Sequence, residues 1–411
     1  MAIVQSPSVV GLILAGGEGK RLYPLTRDRA KPAVPFGGRY RIIDFVLSNF
    51  LNSGVYKLSV ITQYKAGSLM QHLARGWQLA AQVGHYVAPV PPAMNLGPRF
   101  FQGSADAVLQ NLDVVENERP DHVAVFGADH IYKMDVRQML AFHIEHEADA
   151  TVAVIPVPAE EASGFGIVET DARGRVTGFV EKPVVAPGTT GTRLASMGLY
   201  IFRTDTLTRS ITADAERPDS THDFGRDILP TLVPSGRLLA YDFSTNEIPG
   251  MREHERGYWR DIGTLDAYWQ ASEDLVSVSP SFSLYNPAWP IFTAYYPSAP
   301  AKFVFSDKDQ NRVGIATDSM VSEGCIISGG HVDRSILGLR VRVNSFSNVS
   351  ESILFDDVDV GRYARIRRAI VDKGVVIPPG TTIGYDPEED RRRFVVSEGG
   401  VVVVPKGYRF G

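Results

Sequence analysis

The sequence predicts an α/β domain with a mostly parallel, mixed sheet followed by a left-handed parallel β-helix, and three observations carry that prediction. From Val9 to about Val276, short apolar runs alternate with helical patterns, the texture of an α/β layer. A stretch rich in proline and aromatic residues then interrupts the alternation. Beyond it, apolar residues recur every six positions, the period of a β-helix coil. The 411 residues thus divide into 1–276, a linker at 277–312 packed on its neighbours, and 313–411.

The first expected strand, Val9–Leu14, opens into Ala15-Gly16-Gly17-Glu18-Gly19-Lys20-Arg21. Glycines let the backbone bend tightly and bring bare N–H groups against a phosphate. Arg21 and Lys31 add positive charge beside that turn. A polyanion, most simply a nucleoside triphosphate, belongs there. A Walker A loop needs Ser or Thr after Gly-Lys, and Arg21 stands there. A dinucleotide fingerprint needs a third glycine, and Leu22 occupies its place. Further strands are expected at Leu58–Thr62, His122–Phe126, Ala150–Pro156 and Met197–Phe202, with helices at Ser104–Glu116 and Val136–Glu147. Ligands of such sheets bind at the carboxyl ends of strands, where Gly16, Gly17 and Asp129 fall.

Prolines 280, 287, 290, 297 and 300 exclude regular helix or central strand from the linker. Its aromatics, among them Trp289 and Tyr295, argue against a free disordered segment. The repeat is carried by four triplets: Ile315, Val321, Ile327; Leu337, Val343, Val349; Leu354, Val360, Ile366; and Val371, Ile377, Ile383. A few coils cannot cover both ends of a stack, so this domain is expected to take part in oligomer contacts.

Composition narrows the partners. Hydrophobic residues make up 44% and charged residues 22%, as in an ordinary globular protein. A net charge of −5 gives no reason to expect nucleic acid, and no basic run suggests an anionic membrane. No stretch reaches the ~20 apolar residues of a membrane span, and no export signal is apparent. The single cysteine, Cys325, fits a reducing cytoplasm and reads as a buried thiol. One cysteine and scattered histidines make no zinc pattern.

Several segments together point to a family. Leu14 to Arg21, Leu25-Thr26 and Lys31-Pro32 resemble the start of the sugar nucleotidyltransferases. Phe36-Gly37-Gly38-Arg39-Tyr40-Arg41-Ile42-Ile43-Asp44-Phe45, Gly103-Ser104-Ala105-Asp106-Ala107 and Gly127-Ala128-Asp129-His130 narrow this to the bacterial glucose-1-phosphate adenylyltransferase (ADP-glucose pyrophosphorylase) branch. So do Phe179-Val180-Glu181-Lys182-Pro183 and Tyr258-Trp259-Arg260-Asp261-Ile262-Gly263-Thr264. The match runs in order over nearly the whole chain. It implies a Rossmann-like nucleotidyltransferase domain and transfer of AMP from ATP to glucose 1-phosphate. It also implies Mg²⁺ as cofactor, phosphorylated effectors and a homotetramer supplying glycogen synthesis.

That reaction joins two anions, so it needs charge neutralisation and alignment more than a protein nucleophile. By resemblance, Arg21 and Lys31 bind the triphosphate, and Asp129 with Asp261 holds the metal. Leu14, Gly16, Gly17 and Gln63 face ATP, while Phe101, Gly166, Glu181, Lys182 and Ser196 face glucose 1-phosphate. His130 is read as packing or as support behind the metal-holding carboxylate, because neighbours on an extended segment point opposite ways. Two departures stand out. Phe100-Phe101 replaces the Trp-Tyr pair of enteric members, so a tyrosine hydroxyl to the sugar phosphate is lost. Asp28 replaces their activator-binding lysine. Arg29 and Arg41, with Arg367 and Arg368 of the repeat domain, are expected to approach one another around a phosphorylated effector. A preference for UTP, dTTP or GTP, or a non-catalytic regulatory subunit, are the rival readings.

Overall fold

A computed structural model describes residues 7–92, 99–186 and 188–411. Its N-terminal part is built on a nine-stranded mixed sheet. Val9–Ala15 lies parallel between His122–Gly127 and Lys57–Thr62, with Tyr86–Val90 beyond. The other half gathers around the long strand Thr192–Arg203, antiparallel to His122–Gly127, Ala150–Pro158 and Gly166–Thr170. Val176–Glu181 closes one edge against Gly166–Thr170, and Leu238–Asp242 runs parallel to Ala150–Pro158. Ile13, Phe50 and Phe126 pack on one side of this sheet, and Leu12, Val123 and Val125 on the other. Burial on both faces is why these strands read as unbroken apolar runs.

The helix expected over Ser104–Glu116 is two, Ser104–Leu109 and Leu112–Glu118. Between them, the Asn111 side chain donates to the Ala107 carbonyl at 2.7 Å, competing with the backbone donor that would continue the helix.

The helix Leu265–Val276 ends the N-terminal part, and residues 277–301 contain neither helix nor strand. They are nevertheless fastened. Trp289 and Ala294 are buried, Asn52 donates to the Pro290 carbonyl, and Phe292 N donates to Ser48 Oγ. The buried carboxylate of Asp44 accepts from Thr293 Oγ1 of this segment and from Trp77 Nε1. Asp44 Oδ1, the oxygen that takes the Trp77 bond, also meets His72 Nε2 at 2.6 Å.

The repeat domain is a three-sided stack of parallel strands. It takes its first strand at Lys302–Val304, ahead of the boundary expected at 313. Leu337 stacks on Leu354 and Leu354 on Val371, so a coil is 17 residues, one short of three hexapeptides. Corners with φ in the left-handed region follow the same step, as at Arg334, Glu351 and Arg368. The last three triplets are buried throughout. In the first, Val321 and Ile327 stack in register on Leu337 and Val343, but Ile315 is out of frame: it is 38% exposed, and Ala316 is the residue that stacks on Val332 and the column beyond it. Cys325 is buried in this core, and burial pushes its thiol up to about 11.

One side of the stack closes on the N-terminal domain. Ile336, Ile353, Phe355, Val401 and Val403 pack with Tyr268 and Trp269. Arg29 and Asp372 form a buried ion pair across this junction at 2.8 Å. Asp266, in the first turn of Leu265–Val276, accepts from Ser397 Oγ and Gly399 N.

Candidate active site

Two carboxylates distant in sequence meet because a short antiparallel ladder joins them. His130–Tyr132 pairs with Trp259–Asp261, placing Asp261 opposite His130. Asp129 sits at the bend just before this ladder. Lys31, held in a short turn that begins Lys31-Pro32, reaches both carboxylates: its Nζ lies 2.8 Å from Asp129 Oδ2 and 3.0 Å from Asp261 Oδ1. Burial alone would raise the Asp129 carboxyl, yet the Lys31 ammonium, helped by His130, holds it well below the usual carboxylate range. Burial would lower Lys31, and Asp129 and Asp261 together hold it above its ordinary value.

The glycine turn forms the adjoining wall. Gly19 has φ +64, and a Cβ there would come within 3.0 Å of Lys31 Cβ and Thr26 Cγ2, so the turn closes tightly over Lys31. Thr26 Oγ1 donates to the Gly19 carbonyl at 2.9 Å and locks the loop. Arg21 remains largely exposed, with its guanidinium 3.9 Å from Asp261 Oδ2. These groups border a cavity of about 580 Å³.

Its far side carries Glu181, Lys182, Gly166 and Ser196. Gly166 lies opposite Glu181 in the ladder. A Cβ on Gly166 or Gly225 would come within 2.6 or 2.7 Å of Glu181 Oε2, so two glycines leave the carboxylate its space. Lys182 has φ +48, donates its backbone N–H to the Phe165 carbonyl, and holds its ammonium 2.9 Å from Glu181 Oε1. The pairing of Thr192–Arg203 with Ala150–Pro158 is irregular between Ser196 and Tyr200, and this turns Ser196 toward the cavity.

A second, more apolar cavity of about 320 Å³ continues from Leu14 and Gly17 to Gly16, Ile61, Gln63, Tyr64 and Phe101. Gln63 Oε1 accepts the Phe101 N–H at 2.7 Å, which leaves the Gln63 amide NH₂ as its free donor. Phe101 therefore stands beside Gln63, in the smaller cavity and not among Glu181, Lys182 and Ser196.

The two cavities bring together Arg21, Lys31, Asp129, Asp261, Leu14, Gly16, Gly17, Gln63, Phe101, Gly166, Glu181, Lys182 and Ser196. The expected alternation does not hold at His130. Its ring lines the same cavity, with Nε2 at 3.4 Å from Asp129 Oδ1. The alternation rule fails because Asp129 belongs to a bend, not to the strand that begins at His130.

Arg29 requires a correction: it is 4% exposed and sealed against Asp372, so no solute reaches it. Arg41 bonds Ser68. Burial pushes the Lys373 ammonium down, with Arg41 and Arg29 near enough to add to the shift. Arg367 and Arg368 lie toward Glu351, Trp269 and Gly399 instead. Arg29 and Arg41 thus lie on the side of Lys373, and Arg367 and Arg368 on the side of Glu351 and Trp269.

Sequence reading missed Trp259, Phe165, Ser104, Asp223 and Tyr200, all on the cavity wall. Asp223 carried a readable signal, an Asp ahead of Phe-Gly, and it caps the following turn through Gly225 N and Arg226 N. Tyr200 and Phe165 look like ordinary core residues in sequence.

Residues 10–278 match the nucleotidyl transferase family, and residues 299–404 match the GlmU-like C-terminal hexapeptide family. The glucose-1-phosphate adenylyltransferase of Anaeromyxobacter sp. (strain Fw109-5) is 58% identical over 405 residues, 98% of each chain. That of Parafrankia sp. (strain EAN1pec) is 53% identical over 98% of this chain and 99% of its own. The protein of the same name from Aliivibrio fischeri (strain ATCC 700601 / ES114) is 49% identical with the same coverage.

Proposed function

The chain belongs to the glucose-1-phosphate adenylyltransferase family of nucleotidyl transferases, and from that premise we propose that it converts ATP and α-D-glucose 1-phosphate to ADP-glucose and pyrophosphate. One observation carries this reading: Lys31, Arg21, Asp129 and Asp261 face Glu181, Lys182 and Ser196 across a single cavity. A triphosphate and a sugar phosphate are both anions, and each end of the cavity offers a cation.

In this mechanism, the sugar-phosphate oxygen attacks the α-phosphorus in line, and the bond to the pyrophosphate oxygen breaks. Lys182 binds the attacking phosphate, and Glu181 accepts hydrogen bonds from sugar hydroxyls. Arg21 and Lys31 stabilise the charge that develops on the departing pyrophosphate. The Gln63 amide NH₂ and the backbone around Leu14 to Gly17 receive the adenine. The donor set suits a divalent cation: oxygens of Asp129 and Asp261 and a His130 nitrogen lie within 4.8 Å of one another. Asp129 and Asp261 would hold Mg²⁺, which usually takes one or two carboxylates plus substrate phosphates. Bound there, it would neutralise phosphate charge.

The wider role is activated-glucose supply for glycogen synthesis in the cytoplasm. No helix among the described residues is long and apolar enough to cross a membrane. Assembly as a homotetramer draws support from large apolar side chains left exposed, Tyr285 at 78% and Tyr295 at 71%, and light scattering tests it. Control by a phosphorylated metabolite is assigned to Arg41, Arg367 and Arg368. If Arg41→Ala leaves every phosphometabolite response unchanged, Arg41 drops out.

The deciding assay is pyrophosphate release from glucose 1-phosphate and Mg²⁺ with ATP, UTP, dTTP or GTP in turn. Strong preference for ATP is expected. Preference for another triphosphate overturns the base assignment. Silence with all four, unrelieved by phosphorylated metabolites, overturns the catalytic reading.

A further inference from the structure

His130 is the unexplained group in the cavity. Its ring rests on Trp259 with centroids 4.9 Å apart. Nε2 points at the carboxylates, 3.4 Å from Asp129 Oδ1 and 3.9 Å from Asp261 Oδ1. Nδ1 is buried and has no hydrogen-bond partner among the described residues. Lys31 lies on Asp129 Oδ2 and on Asp261 Oδ1, so Asp261 Oδ1 is shared with the lysine while Asp129 Oδ1 is left on the side of His130.

The backbone keeps this side open. A Cβ on Gly127 would stand 3.3 Å from Asp129 Oδ1 and 3.7 Å from His130 Cε1, and one on Gly198 would stand 3.7 Å from the same ring atom. A Cβ at Gly127 would press on the Asp129 oxygen, while one at Gly198 would only touch the ring. The three donor atoms, one nitrogen and two oxygens, lie within 4.8 Å of one another. That is a spacing a single cation can span.

We propose that His130 Nε2 is a third protein ligand of the divalent cation, beside Asp129 and Asp261. The proposal rests on the metal reading above and adds a nitrogen to it. Carboxylates and phosphates suit Mg²⁺ and Mn²⁺, whereas an imidazole nitrogen favours later first-row ions such as Co²⁺. The site would then be a mixed one, able to run on Mg²⁺ but with affinity tilted toward softer ions.

The test uses the full chain with Mn²⁺ and inorganic pyrophosphate, which contains no nitrogen, and reads pulsed-EPR nitrogen coupling to Mn²⁺. Coupling is expected in the unaltered protein, with a ¹⁵N pattern when only its histidines are ¹⁵N-labelled. It should be lost in His130→Asn. In that variant the ratio of Co²⁺ to Mg²⁺ affinity should fall about tenfold, the lower end of what perturbing a metal shell costs. Mn²⁺ bound without nitrogen coupling overturns the His130 ligand and leaves the carboxylate site standing. Coupling that survives in His130→Asn overturns it too. Failure to bind Mn²⁺ at all overturns both readings.

Discussion

Arg29 and Lys31 are near neighbours in sequence, both buried and both paired with carboxylates, yet they serve different regions. At the domain junction, Arg29 is 4% exposed and Asp372 2%. In the cavity, the Lys31 side chain is 9% exposed, but Asp129 is 39% and Asp261 21%. The cations hardly differ in burial; their partners do. A sealed pair can only hold two surfaces together, while a pair whose anions face a cavity can exchange its contacts for a ligand. Perturbed, half-open charges of this kind are where chemistry is sought.

The sharpest test of that contrast is Asp129→Asn. Turnover should fall about 10³-fold, or ~4 kcal/mol of barrier, while the thermal midpoint moves little. A loss below tenfold in the pyrophosphate assay would put the chemistry elsewhere. Arg29→Met should do the reverse. Stranding the Asp372 carboxylate should cost about 3–5 kcal/mol of stability, read by denaturant unfolding. Adding Asp372→Leu should recover most of the loss, because an apolar pair often replaces a buried ion pair without penalty.

Acid separates the regions in another way. His143 is pushed down to about 3, by burial first and then by His122. Unfolded, it titrates near ~6.5, so the unfolded chain binds more protons below that pH. Stability should fall as pH drops, by about 2 kcal/mol at pH 5. Asp129, held below the usual carboxylate range, stays charged across this window and adds nothing to the slope. Unfolding midpoints between pH 7 and 5 should therefore flatten in His143→Gln, while Asp129→Asn keeps the slope. Smallest of all is Arg340→Ala. Its bidentate pair with Asp357 is 41% and 53% exposed, and its loss should shift stability by under about 1 kcal/mol, measured by the same unfolding.

Legibility followed regularity. Strands buried on both faces announced themselves as apolar runs, and Val9–Ala15 and His122–Gly127 fall within a residue of expectation. The stacked coils were legible because Leu337, Leu354 and Val371 repeat one another's environment. Ile315 misled because the first coil does not keep the step of the later ones: Ala316 pairs with Val332, and Val332 with Val349. In the cavity, Gly16, Lys31 and Asp129 were readable as charges and glycines beside strand ends. Trp259 and Tyr200 were not, since an aromatic facing a ligand has the composition of one facing the core. Arg29 was misread for the complementary reason. Its partner Asp372 lies in the other domain, and no local pattern reports a contact made across the junction.

The junction also has an order of synthesis written into it. Tyr268 and Trp269 are covered in part by Val401 and Val403, and the strand Val402–Val404 lies against Ala369–Val371 on that same side. A nascent chain halted before residue 401 would hold a finished N-terminal sheet with an aromatic surface only partly covered. Chaperones and proteases bind such surfaces. Truncated products should be removed by quality control even though every charged residue of the cavity has already been translated.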